Sequence, residues 1–238
     1  MTQYWFISTK YRRNSQLVLI TFALAFAVIL LGAYTRLTNA GLSCPDWPHC
    51  YGFITAPHTA QQLQTAAKNF PAASINIKKA WTEMTHRYAA GIEGIFILCL
   101  AFSILFAQKT KDFKSICMSL LLIALLSAQV MLGMLTVTEQ LKPIIVLAHL
   151  LTGLSILSVL WWIYLDVYLS PQASLITANN RLTPWLALGF ILIAFQITLG
   201  GWVSTHYAGL ACIDFPYCNG EILPQIHLNQ FNNDLMSI

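Results

Sequence analysis

One loop occurs twice in this chain of 238 residues, and the repeat limits what the chain can fold into. Residues 32–52 read GAYTRLTNAGLSCPDWPHCYG, and residues 200–220 read GGWVSTHYAGLACIDFPYCNG. At a constant offset of 168, nine of 21 positions are identical, among them Gly41/Gly209, Cys44/Cys212, Asp46/Asp214, Pro48/Pro216 and Cys50/Cys218. No gap is needed, and each copy follows an apolar run long enough to cross a bilayer. Self-similarity at a fixed spacing behind matched apolar runs marks a duplicated membrane unit.

The composition agrees. The chain is 57% hydrophobic and 9% charged, where soluble domains carry about 25% charged residues. Its mean hydropathy is +0.62. Apolar runs fall at about 16–35, 88–107, 115–137, 144–165 and 184–203, each near the roughly 20 residues a helical span requires. The expected fold is therefore an all-α integral membrane protein. Residues 1–170 form an N-terminal four-helix transmembrane half, and residues 171–238 supply the first helix and cysteine loop of a second, incomplete half.

Basic residues set the expected orientation. Lys10, Arg12 and Arg13 precede the first span, Lys109, Lys111 and Lys114 fill the turn after the second, and Arg181 precedes the fifth. Positive residues collect on the cytoplasmic side, so the N-terminus is placed there and both cysteine loops outside. The first span runs into the repeated loop instead of a small-residue cleavage site, which argues against a removed signal peptide. The net charge of +4 fits cytoplasmic anchoring, and no basic–aromatic pattern points to nucleic acid.

The six cysteines divide in two. Cys99 and Cys117 lie in apolar helices and read as inert core thiols. Cys44/Cys50 and Cys212/Cys218 lie in the loops, with a spacing that suits a small disulfide loop or a metal clip. An oxidising outer compartment favours disulfides, and a zinc site would want four ligands where only His49 lies between the first pair.

Two histidines carry the chemistry. His86 follows Glu83-Met84-Thr85 near the outer end of the second span, and His149 lies about a turn inside the outer end of the fourth. Both spans run from outside to inside, so the imidazoles share a depth, and in a four-helix bundle the second and fourth helices can be diagonal partners. Facing histidines at one depth form a bis-imidazole cage for haem iron. Ala90 and Gly94 after His86, and Gly153 one turn after His149, would let a flat macrocycle approach the backbone. The alternative is that each is a hydrogen-bonded interfacial histidine.

Neighbouring residues are open to two readings each. Glu83, one turn before His86, could steer charge or protons at a haem edge, or be a helix-start carboxylate favoured by the dipole. Arg36 and Arg87 could bind haem propionates or anchor the membrane surface. Glu93 lies seven positions after His86, on the same face and within the hydrocarbon, where carboxylates are costly and usually functional. It could instead be a protonated carboxyl bonded to a neighbouring helix through Gln129 or Gln196. Gln129…Gly133 and Gln196…Gly200 suit close helix packing.

These motifs together resemble the haem A synthase family, the bacterial CtaA and mitochondrial Cox15 proteins. The likeness rests on the loop after the first span, Glu83-x-x-His86-Arg87, the Gln129…Gly133 pattern and His149, and it runs from about residue 17 to 224. It implies two pseudo-symmetric four-helix halves, each with a haem-ligating histidine pair. It also implies oxidation of a methyl group of haem O to the formyl group of haem A for cytochrome oxidase. Carried over, His86 and His149 are the iron ligands for haem O, Glu83 is the outer catalytic carboxylate, and both cysteine pairs are disulfides. The family's second half holds a haem b cofactor.

Adding the offset to His86 and His149 puts second-half counterparts near positions 254 and 317, beyond the 238 residues given. After Gly220 the sequence EILPQIHLNQFNNDLMSI has no apolar span, and His227 within it is a poor ligand candidate. The expectation is a C-terminally truncated synthase that keeps one haem site, lacks the haem b site, and is doubtful as a catalyst alone. Its partners would be haem O, the lipid bilayer, haem O synthase, an electron donor and a further copy of the chain, in a bacterial inner membrane. Two other functions compete. A b-type electron carrier would need neither Glu83 nor the cysteine loops. A thiol–disulfide oxidoreductase would want closer, low-pKa cysteines.

Overall fold

The computed structural model describes residues 2–106, 113–169, 181–214 and 216–222. Side chains of residues 2–14 and 167–169 lie outside that description, as do Lys109, Lys111 and His227. The regular elements of the described residues are helices: α1 (Thr2–Leu37), α2 (Ala60–Asn69), α3 (Ile77–Phe106), α4 (Phe113–Thr138), α5 (Pro143–Leu169) and α6 (Thr183–Thr205), followed by a short 3-10 helix, Ala208–Leu210. Five of these have stretches long and apolar enough to cross a membrane: Ser15–Leu37, Ile77–Phe106, Phe113–Thr138, Pro143–Asp166 and Thr183–Thr205. The chain is an all-α integral membrane protein, as its apolar runs require, because a helix satisfies its own backbone groups where no water can.

Helices α1, α3, α4 and α5 form the bundle. Around the ring, α1 packs on α3, α3 on α4, α4 on α5 and α5 on α1, which leaves α3 and α5 diagonal. α6 packs on α5 outside the ring. There Gly201 gives the close approach, since a Cβ on it would stand 2.6 Å from Leu147 Cδ1 and 3.2 Å from Leu150 Cδ2. Small residues are the usual means of bringing helices together in lipid, where packing and not the hydrophobic effect drives association. α5 begins at Pro143, whose missing N–H costs nothing in a first turn. The tight turn before it bends through Gln140 and Leu141, both with positive φ.

The apolar core is not spread evenly. Val18 and Ala25 of α1, Ile97 and Leu100 of α3, Leu122 of α4, and Ile156, Leu160 and Ile163 of α5 form one buried cluster. By their places in alternating helices, these residues lie in the half of the bundle away from the cysteine loops. On the same side Lys114 pairs with Asp166 at 2.5 Å, joining α4 to α5.

A second cluster closes the cysteine end. Cys44, Cys50, Tyr51, Ala56 and Ala66 pack on Ala80 and Met84 of α3. The long segment between the first two spans is thus a folded cap, with α2 inside it. Thr59 starts α2 with a capping box, its side chain accepting from the Gln62 N–H while Gln62 accepts from the Thr59 N–H. The signature Thr-x-x-Gln was present in the sequence. α3 also begins 11 residues earlier than its apolar run near 88 suggests, because its first turns bind the cap.

The repeated loops have one geometry. Cys44–Cys50 and Cys212–Cys218 are both disulfides with Cα atoms 4.6 Å apart. Asp46 accepts the N–H groups of Tyr51 and Gly52 at 2.6 and 2.7 Å, and Asp214 accepts those of Asn219 and Gly220 at 2.5 and 2.8 Å. Tyr51 and Asn219 have φ of 55° and 56°, followed by glycines at 79° and 84°. A positive φ suits Gly52 and Gly220 because neither carries a Cβ. The 168-residue offset is therefore a repeat in three dimensions. Cys99 and Cys117, expected in the core, are exposed on the bundle surface instead. The apolar residues around them are lipid-compatible, and hydropathy alone does not separate a lipid-facing position from a core one.

Candidate functional site

The cysteine-proximal half of the bundle holds two imidazoles, each set against a glycine. His86 lies nine residues into α3 and His149 six residues into α5, depths of about 13 and 9 Å at helical rise. The extra turns of α3 reach up into the cap, which accounts for the difference. The rings come from diagonal helices of the bundle.

Each ring rests against a glycine. A Cβ on Gly32 of α1 would lie 3.0 Å from His86 Cε1, and one on Gly133 of α4 would lie 3.3 Å from His149 Cε1. Gln129 covers Gly153, where a Cβ would come within 3.1 Å of Nε2, and that Nε2 lies 3.4 Å from His149 Nε2. An amide nitrogen can only donate, so in this pairing the facing imidazole nitrogen holds a lone pair. His86 Nδ1, His149 Nδ1 and Gln129 Oε1 are buried with no hydrogen-bond partner. Buried polar atoms are normally paired, and three orphans in one place mark a site built for something else. The orphaned imidazole nitrogens are groups able to bond a ligand. Among the described residues no cluster of three or more His, Cys, Asp or Glu side chains is arranged for a bare metal ion.

Glu83 occupies a different environment from a helix-start carboxylate. It is the seventh residue of α3, buried, and accepts the Cys44 N–H at 2.9 Å while pairing with Arg87. Arg87 also donates to the carbonyls of Asp46 at 2.9 Å, Pro48 at 3.3 Å and His49 at 2.7 Å. One turn of α3 thus grips the first disulfide loop from below. Tyr88 adds a bond from its hydroxyl to the Ile54 carbonyl at 2.5 Å. Burial pushes the Tyr51 phenol above its ordinary range, and the Glu83 and Asp46 carboxylates push it the same way.

Arg36 reaches the other loop. It donates to the Tyr207 hydroxyl at 2.6 Å and to the Ser204 carbonyl at 2.7 Å. The two arginines thus each engage a cysteine-loop region. Cys44 and Cys50 are fully buried, which does not suit a thiol–disulfide catalyst that must meet its substrate. Glu93 is 9% exposed and, among the described residues, has neither a hydrogen-bond nor an ion-pair partner. The helix-to-helix bond through Gln129 or Gln196 is not made, because Gln129 turns to His149 and Gln196 is exposed. The grip of α3 on the cap was not legible in the sequence. Its one signal was the charged i, i+4 pair Glu83/Arg87 beside the loop.

Comparison with known proteins fits this geometry. Residues 15–237 match the family model COX15-CtaA, described as cytochrome oxidase assembly protein. The chain belongs to that family. A protein of Shewanella oneidensis named Heme A synthase is 43% identical over 205 residues, covering 86% of this chain and 61% of the relative. Proteins with the same name from Neorickettsia sennetsu and Granulibacter bethesdensis are 27% and 28% identical, covering 88% and 91% of this chain and 70% and 63% of their own lengths. The chain therefore spans about three-fifths to seven-tenths of these members of the COX15-CtaA family. No solved structure matches it significantly.

Proposed function

We propose that this chain carries the haem O site of a haem A synthase-type membrane oxidoreductase, with His86 and His149 as the two ligands. The observation that carries the reading is the pair of diagonal, glycine-backed imidazoles with unpartnered buried nitrogens. The relatives' name, Heme A synthase, supports a haem as the molecule acted on. In the proposed reaction a ring methyl takes one oxygen atom from water and gives up four electrons and four protons to a redox acceptor, leaving a formyl group. Haem, when bound, would supply redox-active iron.

The chain's own residues do the positioning. His86 and His149 would hold the haem iron, and Gly32 and Gly133 let each imidazole pack closely on α1 and α4. Arg36 and Arg87, at the cysteine end, would bind propionates by sharing donors they already give to the two loops. Glu83 holds the disulfide loop against α3 one turn before His86 and is the carboxylate placed to handle a proton there. The cysteine end faces outward and the N-terminus lies in the cytoplasm of a bacterial inner membrane, as the basic residues suggest. The repeated loop supports residues 171–238 as the start of a second half, where a relative of full length would hold haem b. Haem O synthase would deliver the substrate and a redox partner would take or supply electrons.

The test is to co-express the chain with haem O synthase, purify it, and identify the haem it holds. Formyl or hydroxymethyl haem supports a synthase, and unmodified haem supports the electron-carrier reading instead.

A further inference from the structure

The first turns of α3 divide their work between two faces. Glu83 and Arg87 turn to the cysteine loop. Lys78, Trp81, Thr82 and Thr85, at i, i+3, i+4 and i+7, share the other side and line one open groove with Leu31 and Tyr34 of α1. The groove has a volume of about 440 Å³, within the range of about 300–1,000 Å³ usual for ligand clefts. Lys78, Trp81, Thr85 and Tyr34 are exposed, so it opens on the outside of the bundle, at the cysteine end.

Its polarity is graded along the helix axis. Lys78 is the second residue of α3, and Thr85 lies about 10 Å further in at helical rise. Tyr34 lies near the end of the α1 span Ser15–Leu37, and Leu31 is one turn deeper. From the cysteine end inward the groove therefore presents a cation, two aromatic rings with polar tips, and then Leu31. Lysine and the amphipathic aromatics are the residues that sit at a membrane–water boundary.

The lining also carries uncommitted donors. Lys78 Nζ makes no ion pair, and neither the Trp81 indole N–H nor the Tyr34 hydroxyl makes a hydrogen bond, among the described residues. The two threonine hydroxyls are spent on the helix itself, donating to the carbonyls of Lys78 at 3.0 Å and Trp81 at 2.8 Å. No acidic side chain lines the groove. A small free anion would leave Leu31 and both ring faces uncovered, and a neutral lipid would leave Lys78 without a counter-charge. An amphiphile with a negative head satisfies both ends.

We propose that the groove between α1 and α3 binds one anionic phospholipid, with its phosphate at Lys78 and an acyl chain running inward past Trp81 and Tyr34 to Leu31. The site stands whether or not the two histidines hold haem.

The test uses the full chain in phosphatidylcholine vesicles carrying a small fraction of brominated lipid, which quenches tryptophan fluorescence on contact. The Trp81 signal is the difference between wild type and Trp81→Phe, a mild change at an exposed ring. Brominated phosphatidylglycerol should quench that signal about fivefold more effectively than brominated phosphatidylcholine, the worth of one lysine at an anionic surface. Lys78→Gln should remove the preference, whereas Lys79→Gln, an equal loss of charge outside the lining, should keep it. Equal quenching by the two lipids in wild type, or equal losses in the two lysine variants, overturns the proposal. Inorganic phosphate, compared with chloride at the same ionic strength, should not relieve the quenching. Relief by phosphate would mark a free-anion site and overturn the lipid. Should Trp81→Phe not fold, native mass spectrometry decides: wild type should retain one phosphatidylglycerol that Lys78→Gln loses, and equal retention overturns the proposal.

Discussion

Replacing Glu83 with alanine should open the first cysteine loop without touching a cysteine. The Arg87 and Glu83 side chains are only 13% and 5% exposed, so theirs is a buried ion pair. Removing the carboxylate strands a buried guanidinium and leaves the Cys44 N–H without its acceptor. Breaking one partner of such a pair costs about 3–5 kcal/mol. Arg87 keeps three loop carbonyls, which argues for the lower figure. At 1.36 kcal/mol per tenfold, about 3 kcal/mol is roughly a hundredfold in the equilibrium for loop opening. The assay is limited reduction with a phosphine, alkylation of freed thiols, and mass spectrometry of the two disulfide peptides. In wild type, Cys212–Cys218 should go first, because Cys212 is exposed while Cys44 and Cys50 are fully buried. In Glu83→Ala the first disulfide alone should be reduced about a hundredfold faster, since local opening governs its access. Glu83→Gln keeps an acceptor oxygen for Cys44 and should fall between. An unchanged rate at Cys44–Cys50 would refute the grip. Equal acceleration of both disulfides would show general destabilisation instead.

Three further outcomes follow from the same geometry. Gly133→Val should push His149 aside and cost about 1–3 kcal/mol of packing with a loss of haem loading, whereas Gly91→Ala, with nothing within 4 Å of the added carbon, should leave loading unchanged when absorbance per chain is compared. Gly201→Val should loosen α6 from α5 by a similar amount, read as faster proteolysis before α6, while Gly200→Ala, which meets nothing within 4 Å, should not. Tyr51 should titrate above its ordinary value of 10.0. Because the folded value is raised, the stability it lends is complete below the unfolded value and is lost as pH rises through the folded one. An alkaline absorbance titration should show its late component vanish in Tyr51→Phe, and a component titrating at or below 10.0 would contradict the burial argument.

Much of the architecture could be read from the chain because its signals are local. Apolar runs longer than a bilayer give the five spans, and the constant offset between Cys44 and Cys212 gives a loop whose Asp, Cys and Gly positions recur in the same conformations. The diagonal placing of the helices that carry His86 and His149 was legible as one arrangement a four-helix bundle allows, and the packing of α1, α3, α4 and α5 adopts it. What was hidden depends on tertiary contact. Hydropathy located the lipid-compatible part of α3 and missed its first turns, which are polar because they hold the cap. Cys99 and Cys117 sit in runs apolar on every side, so no periodicity told core from lipid. Glu83 is adjacent to His86 in sequence, yet its bonds run to the loop at Cys44, and only folding shows that.

The most direct measurement of the central claim is the absorption spectrum of the purified chain loaded with haem. The expected result is a six-coordinate, bis-imidazole spectrum that His86→Ala and His149→Ala each abolish, with both variants still folded as judged by circular dichroism and intact disulfides. The same spectrum in both variants would contradict the assignment of these two histidines as the ligands.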